Sequence, residues 1–204
     1  MPVLLVIRHG LNDWVGKRLA GRLPGVHLNA EGKRQANLVA ETLKDQAICA
    51  IFSSPLERAQ ETAAPLAEKL NLPVQIMEGL SEINFGTWQG NTIQQLSRRS
   101  QWKILQTHPE TMQFPGGESL VEAQERVVNA TREILTGLDE DEIAACFSHS
   151  DAIRLMLAHY LQMPLHYFHR LAVSTASISV LRFNADQIKV EVINRSCEQL
   201  FGGM

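Results

Sequence analysis

The sequence predicts an α/β fold: a three-layer sandwich whose mostly parallel central sheet, with one antiparallel strand, is flanked by helices. Three observations carry this. Short apolar runs alternate with segments of helical periodicity along most of the chain. The first run, Leu4-Leu-Val-Ile, stops abruptly in Arg8, His9 and Gly10, as a buried strand does where it opens onto a working edge. The last two runs, 178–183 and 188–193, are separated only by Asn184, Ala185, Asp186 and Gln187, which predicts a hairpin and so one reversed strand.

The elements follow in order. The first strand covers 3–8. Segment 11–29 lacks a clean period and holds Gly16, Gly21, Pro24 and Gly25, so it reads as a long functional loop. Asn29 is placed to cap a helix with Glu31 in its first turn, and Ala36, Val39, Ala40 and Leu43 then recur at helical spacing. A second buried strand is predicted at 47–52. Ser53, Ser54 and Pro55 predict a helix start, with serine as cap and proline at the first helical position. Leu56, Ala59, Ala63, Leu66 and Leu70 give that helix its apolar face.

Residues 73–76 predict a short edge strand, 78–90 a loop, 91–106 an amphipathic helix and 109–117 another loop. The strongest helical pattern spans 118–138, with Leu120, Ala123, Val127, Ala130, Ile134 and Leu138 in register. An acidic turn at 139–142 leads into a strand at 143–148. A nearly all-apolar helix follows at about 151–161, as expected of one packed inside an α/β domain. There is no internal repeat, low-complexity tract or linker, so residues 1–204 are expected to form one domain.

Composition excludes several classes. Hydrophobic content of 45% and charged content of 20% are those of a globular protein. A net charge of −3 gives no reason to expect nucleic acid or an acidic membrane as partner. No apolar run approaches the ~20 residues that span a bilayer. The chain enters its first strand without a basic flank or cleavage signal, so a secretory peptide is not expected and a cytoplasmic location is. Cys49, Cys146 and Cys197 are odd in number and far apart, which predicts reduced, packed thiols. His27, His108, His159, His166 and His169 show no ligand spacing with nearby acids or cysteines, so no metal is assigned. No Walker-type glycine loop exists, so ATP is not implied.

Three polar features share a context. His9 follows the first strand, Arg58 lies one turn into the helix after the second, and His149 follows strand 143–148. All three are expected at one edge of the sheet, where two helix N-termini would also direct free amides suited to phosphate. Arg8 and Arg58 add planar donors that fit a phosphoryl group. Each residue alone has a bland reading, a satisfied structural histidine or a solvated arginine. Together they predict a phosphate held between two histidines and two arginines.

The chain resembles the histidine phosphatase superfamily, in its phosphoglycerate-mutase-like branch. The resemblance rests on ordered motifs over nearly the whole length: Val6-Ile-Arg-His-Gly10, Leu19-Ala-Gly-Arg-Leu23 with Leu28-Asn-Ala-Glu-Gly32, and Ser53-Ser-Pro-Leu-Glu-Arg-Ala-Gln-Glu-Thr62. It continues through Leu80-Ser-Glu-Ile-Asn-Phe-Gly-Thr-Trp-Gln-Gly90, Pro115-Gly-Gly-Glu-Ser119 and Phe147-Ser-His-Ser-Asp-Ala-Ile-Arg154. It implies that His9 is the nucleophile that becomes a phosphohistidine. Arg8, Arg58 and His149 would hold phosphate oxygens, and Glu82 would donate a proton to the leaving group. No cofactor is implied, and the partner is a small phosphorylated metabolite. Such chemistry needs in-line positioning and stabilisation of spread negative charge. Without the resemblance, Glu82 reads as a surface acid in a loop.

Departures from the family pattern fall at Leu11, Asn12 and Val15. Asn12 still offers a donor to phosphate, whereas Val15 cannot. Gly21 and Arg22 resemble the loop that meets the substrate's far end, and Ser150 is placed to offer its backbone amide. Of Trp14, Trp88 and Trp102, at least one is expected to line a pocket. Arg98 and Arg99 read as a solvated helix face. The leading functional expectation is a metal-independent phosphatase. A phosphoglycerate mutase is the first alternative, disfavoured because the chain is short, lacks an insertion before Pro115 and ends in a brief 201–204 tail. A non-catalytic phosphate-binding module on the same fold is the second. Strand-edge pairing or the apolar stretch 160–171 would support a homodimer.

Overall fold

The computed structural model describes residues 1–184 and 187–197. Six strands, β1 (Val3–Arg8), β2 (Ile48–Ser53), β3 (Val74–Ile76), β4 (Ile143–Ser148), β5 (Ile178–Phe183) and β6 (Ile188–Arg195), form one sheet in the order β3-β2-β4-β1-β5-β6. β1 through β4 pair in parallel, β5 runs antiparallel to β1, and β6 antiparallel to β5. β5 is therefore the reversed strand. The centre of the hairpin turn, 185–186, lies outside the described residues, as does the tail 201–204.

Alternation along the strands builds two cores. From β1, Leu4 and Val6 join Ala144 and Cys146 of β4 on one face, while Val3, Leu5 and Ile7 join Ala145 and Phe147 on the other. The second face is covered by α1 (Ala30–Leu43) through Val39, Ala40 and Leu43, and by α2 (Glu57–Leu70) through Ala63 and Leu66. α5 (Leu120–Thr136) and α6 (Ser150–Tyr160) cover the first face through Val127, Ile134, Leu155 and Met156. Trp88 and Phe114 are fully buried there, their rings 5.4 Å apart edge to face. Truncating such an aromatic to alanine costs about 3–5 kcal/mol.

Several boundaries differ from expectation, each for a local reason. α1 starts as predicted, with the Asn29 side chain accepting the Gly32 amide. α2 begins at Glu57, two residues beyond the predicted proline, and has no side-chain cap. The hydroxyl expected to cap it, on Ser54, is hydrogen-bonded to His149 at 2.7 Å instead. The helix predicted at 91–106 is two short ones, α3 (Ile93–Leu96) and α4 (Ser100–Thr107). The capping box of Thr92 and Gln95 starts the first, and Ser97, Arg98 and Arg99 lie between them. α5 is trimmed at both ends because Ser119 and Glu122 form a capping box and Gly137 closes it. Loop 78–90 carries two 3-10 turns, at Glu78–Leu80 and Gly86–Trp88.

Cys146 and Cys197 are buried thiols, but Cys49 is exposed, next to a register irregularity between Ile48 and Ala50. The apolar stretch 160–171 turns mostly inward: Phe168 is buried, and Tyr160, Met163, Leu165 and Leu171 pack against the core. Among the described residues, no helix is long and apolar enough to cross a membrane.

Candidate active site

The register of the sheet assembles the site. Arg8 of β1 sits beside Ser148 of β4, and Ser53 of β2 beside Phe147. The residues that follow, His9, His149 and Ser54, therefore leave three adjacent strands at one edge. The His9 amide donates to Ser148 O at 3.0 Å and the Ser54 amide to Phe147 O at 3.0 Å. The two imidazoles end 5.2 Å apart between ring centres, tilted by 56°.

Each histidine has one ring nitrogen engaged. His9 Nδ1 lies 2.7 Å from Gly10 O, so it donates there and leaves Nε2 with a lone pair. His149 Nε2 lies 2.7 Å from Ser54 Oγ, while its Nδ1 is buried without a partner. Both pKa values are held well below the ordinary 6.5. Burial is the main cause for both; next come Arg58 and Arg8 for His9, and Arg58 and His9 for His149. His9 is thus neutral across the physiological range.

The arginines come from two elements. Arg8, at the end of β1, donates Nη1 to Val173 O at 2.6 Å; its Nε is buried without a partner. Arg58, in the first turn of α2, donates Nη2 to Gly21 O at 2.8 Å; its Nε and Nη1 are buried without partners. Burial pushes Arg58 down to about 10, which leaves it charged at neutral pH. Position 21 favours glycine: the φ of Gly21 is +55°, and a Cβ there would press on the Gln89 side chain, whose Oε1 accepts the Arg22 amide. Thr62, one turn past Arg58, accepts the Gly10 amide at 2.9 Å and donates to Arg58 O at 2.6 Å, locking the His9 loop to α2.

Glu82 reaches the site from its loop and is buried. Its Oε1 accepts the amides of Ile83 at 3.0 Å and Ala152 at 3.1 Å, and its Oε2 has a long 3.4 Å contact to the Asp151 amide. This narrows the expectation that both helix N-termini offer free amides: in the first turn of α6 the carboxylate takes the Ala152 amide and faces that of Asp151, and the Ser150 amide is not engaged by it. Burial, then the charge of Asp151, raises the Glu82 pKa; the Ile83 amide, Arg58 and the Ala152 amide oppose the rise.

A cavity of about 390 Å³ opens at this edge. Arg8, His9, Asn12, Gly21, Arg58, Glu82 and Ser150 all line it, with Trp14, Val15, Arg18 and Arg154 farther round its wall. Asn12 is buried, its Oδ1 accepting the Trp14 amide at 2.9 Å. Trp14 is the tryptophan at the cavity; Trp88 and Trp102 stack in the core. Leu11 is not part of the wall: its amide donates to Gln35 and its carbonyl accepts from Asn29, against the start of α1. Arg98 and Arg99 are exposed.

The structure does not bring the Arg22 side chain into the cavity. It donates Nε to Glu82 O at 2.8 Å and Nη2 to Glu118 Oε1 at 2.8 Å. Arg126 donates to the same Glu118 oxygen at 2.8 Å, to Gly79 O at 2.8 Å and to Ser81 O at 2.9 Å. These residues fasten the loop that carries Glu82. Sequence reasoning missed Ser54, Thr62, Glu118 and Arg126 as supports. Thr62 alone had a signal, since it lies one helical turn from Arg58. Sequence spacing also failed to relate His166 to His108 and Glu110, whose ligand-type atoms all lie within 4.8 Å of one another.

Comparisons with known proteins point to one family. A family model described as the histidine phosphatase superfamily, branch 1, matches residues 4–196. Phosphoserine phosphatase 1 of Hydrogenobacter thermophilus is 28% identical over 202 residues, covering 97% of this chain and 94% of the relative. A Yersinia enterocolitica protein named as a probable phosphoglycerate mutase is 32% identical over 181 residues, covering 88% of this chain and 84% of the relative. A mycobacterial glucosyl-3-phosphoglycerate phosphatase, solved in complex with VO3, superposes with a TM-score of 0.87 at 30% identity. The match covers 95% of this chain and 99% of that one.

Proposed function

The chain belongs to branch 1 of the histidine phosphatase superfamily, and from that premise we propose that it is a metal-independent phosphatase of small phosphomonoesters. One observation carries the reading. Four buried nitrogens without partners (Arg8 Nε, Arg58 Nε, Arg58 Nη1 and His149 Nδ1) belong to residues clustered about neutral His9. Buried donors left unpaired cost about 1–3 kcal/mol each. A tetrahedral, doubly charged anion would satisfy them together, and they would stabilise the charge spread over the transferring group.

In the proposed reaction, His9 Nε2 attacks phosphorus in line while the bond to the leaving oxygen breaks. Arg8, Arg58 and His149 hold the non-bridging oxygens, and Asn12 and the Ser150 amide flank them. Glu82, whose Oε1 is committed to two amides, carries its proton on Oε2 and passes it to the leaving oxygen. The resulting carboxylate then takes a proton from water as that water attacks the phosphohistidine, releasing phosphate and restoring both residues. The substrate's far end would meet Trp14, Gly21, Arg18 and Arg154. We place the protein in the cytoplasm as one domain, in keeping with the buried, reduced thiol of Cys146. Any homodimer would form through an edge strand, β6 exposing Ile188 and Ile193.

The 32% identical relative named for mutase activity supports a second reading. A mutase must keep water from the phosphohistidine and return the phosphoryl group to its product. The test is phosphate release from a panel of phosphomonoesters with a chelator present, alongside His9→Ala. Release that survives chelation and vanishes in the variant supports the phosphatase. Isomerisation of phosphoglycerate without release supports the mutase, and release by His9→Ala refutes the assignment of the nucleophile.

A further inference from the structure

Away from the cavity, His108, Glu110 and His166 form a second cluster. His108 ends α4, Glu110 lies in the 3-10 turn Pro109–Thr111 behind it, and His166 lies in the 3-10 turn Leu165–Arg170 after α6. His108 Nδ1 is 3.4 Å from Glu110 Oε1, and His166 Nδ1 is 3.4 Å from Glu110 Oε2. The two rings are tilted by 53° at 5.8 Å, so they do not stack face to face.

We propose that His108, Glu110 and His166 bind one divalent transition-metal ion of the zinc type, through two imidazole Nδ1 atoms and the carboxylate. Three lines of argument support this. At 3.4 Å the two histidine–Glu110 contacts are long for charge-assisted N–H···O bonds, which run at about 2.7–2.9 Å, so the cluster is not closed up as a pair of tight hydrogen bonds. They approach the spacing of ligands on a shared ion: each imidazole Nδ1 stands 3.4 Å from one carboxylate oxygen and the three ligand atoms lie within 4.8 Å of one another, while on a tetrahedral zinc with bonds of about 2.0–2.1 Å neighbouring ligand atoms stand about 3.3 Å apart. The donor set of two imidazoles and one carboxylate selects zinc, cobalt, nickel or copper over magnesium or calcium, which take oxygen ligands. Water fills the fourth position. All three side chains are partly exposed, so the small contraction that brings both histidines to one centre moves no core residue.

The ion would brace two turns far apart in sequence. Between them His169 Nε2 already contacts Leu105 O at 3.0 Å. The braced segment includes Phe114 and Met112 of the core and follows Ile93 of the cavity wall. The site is separate from the catalytic reading and stands whether or not that reading holds.

The experiment is titration of the full, chelator-treated chain with zinc chloride against a chromophoric competitor, and with cobalt chloride followed by visible absorption. Expected are one zinc per chain at micromolar or tighter affinity and a four-coordinate cobalt spectrum. The melting temperature should rise by roughly 5–10 °C at a hundredfold excess over Kd. His108→Ala and His166→Ala should each weaken binding at least tenfold, while His27→Ala, at a distant exposed histidine, should not. The metal-free melting temperature of His108→Ala and His166→Ala should match that of the chelator-treated parent, which shows that they fold, and phosphate release at saturating substrate should be unchanged. Zinc binding undiminished in a His108→Ala, His166→Ala double variant would overturn the proposal, as would no stoichiometric binding by the intact chain.

Discussion

Ala152 donates its backbone amide to Oε1 of Glu82 at 3.1 Å, so the carboxylate caps α6 three residues after His149 leaves the sheet. The contact ties the proposed proton donor to the strand that delivers the second histidine. It also sets two forces against each other: the amides favour the ionised carboxylate, while burial and Asp151 favour the protonated one and prevail.

From that balance, Glu82→Gln should lower kcat by about 10²–10⁴ on alkyl phosphates, whose leaving group needs a proton. On p-nitrophenyl phosphate the loss should be far smaller. The alkaline limb of the kcat/KM profile should disappear in the variant. An equal loss on both substrates would mean that Glu82 acts as a cap alone.

Acid stability reports the buried histidines. Both are held below 6.5, so from that pH downward the unfolded chain takes up protons that the folded chain refuses. The stability they contribute is complete above 6.5 and is lost as pH falls toward their folded values. Glu82, raised, acts with the opposite sign, and so does His27, raised by its bond to Glu61. The difference between wild type and variant isolates one group. His9→Ala should flatten the fall in unfolding free energy between pH 6 and 5, by at most about 1.4 kcal/mol per pH unit, the limit for one proton. Denaturant midpoints across that range measure it, and an unchanged slope would show that His9 titrates normally.

Ser54 is placed to select the tautomer of His149. Its Oγ accepts the Leu56 amide at 3.3 Å and lies 2.7 Å from Nε2; with its hydroxyl proton donated to Nε2, the ring's proton stays on Nδ1 as a donor for the bound anion. Ser54→Ala should reduce kcat/KM roughly tenfold, the equivalent of one hydrogen bond of about 1.4 kcal/mol. Nitrogen NMR of the imidazole should show mixed tautomers, and Ser54→Thr should restore most of the activity. A single Nδ1–H tautomer in Ser54→Ala would overturn this role.

Much of this site was legible because it sits where periodic signals end. Arg8, His9 and His149 follow apolar strand runs, and parallel register places such ends side by side. Arg58 is one turn into a helix with a readable apolar face. Glu82 carried no such signal, since its position depends on an irregular loop held by Arg22, Glu118 and Arg126 from three other segments. Ser54 was misread because a serine before proline is ordinarily a cap, and local chemistry does not reveal that a histidine from another strand competes for its hydroxyl. The same limit hid His166 from His108 and Glu110: the contact is tertiary. The break between α3 and α4 escaped because amphipathic spacing continues across it while the Thr92 and Gln95 capping box starts a separate short helix.

Glu118 should matter more than Arg22, although they form one ion pair. Glu118 is largely buried; it accepts the Asn84 amide, Arg22 Nη2 and two nitrogens of Arg126. Removing it strands two guanidiniums in a partly buried setting, whereas removing Arg22 leaves Arg126 to satisfy the carboxylate. A fully buried pair broken this way costs about 3–5 kcal/mol, and partial exposure here reduces that to about 2–3. Glu118→Ala should therefore lower the melting temperature by roughly 5–10 °C, and Arg22→Ala by less than half as much. Because both arginines also hold the Glu82 carbonyl, freeing the loop should depress kcat more than it raises KM and shift the alkaline limb assigned to Glu82. Glu118→Gln, which keeps an acceptor for Asn84, should fall between wild type and Glu118→Ala. Calorimetry on the three variants with matched pH–rate profiles decides it. A stability loss with an unmoved pH profile would make the network structural only, and equal losses for Arg22→Ala and Glu118→Ala would show that Arg126 does not share the carboxylate.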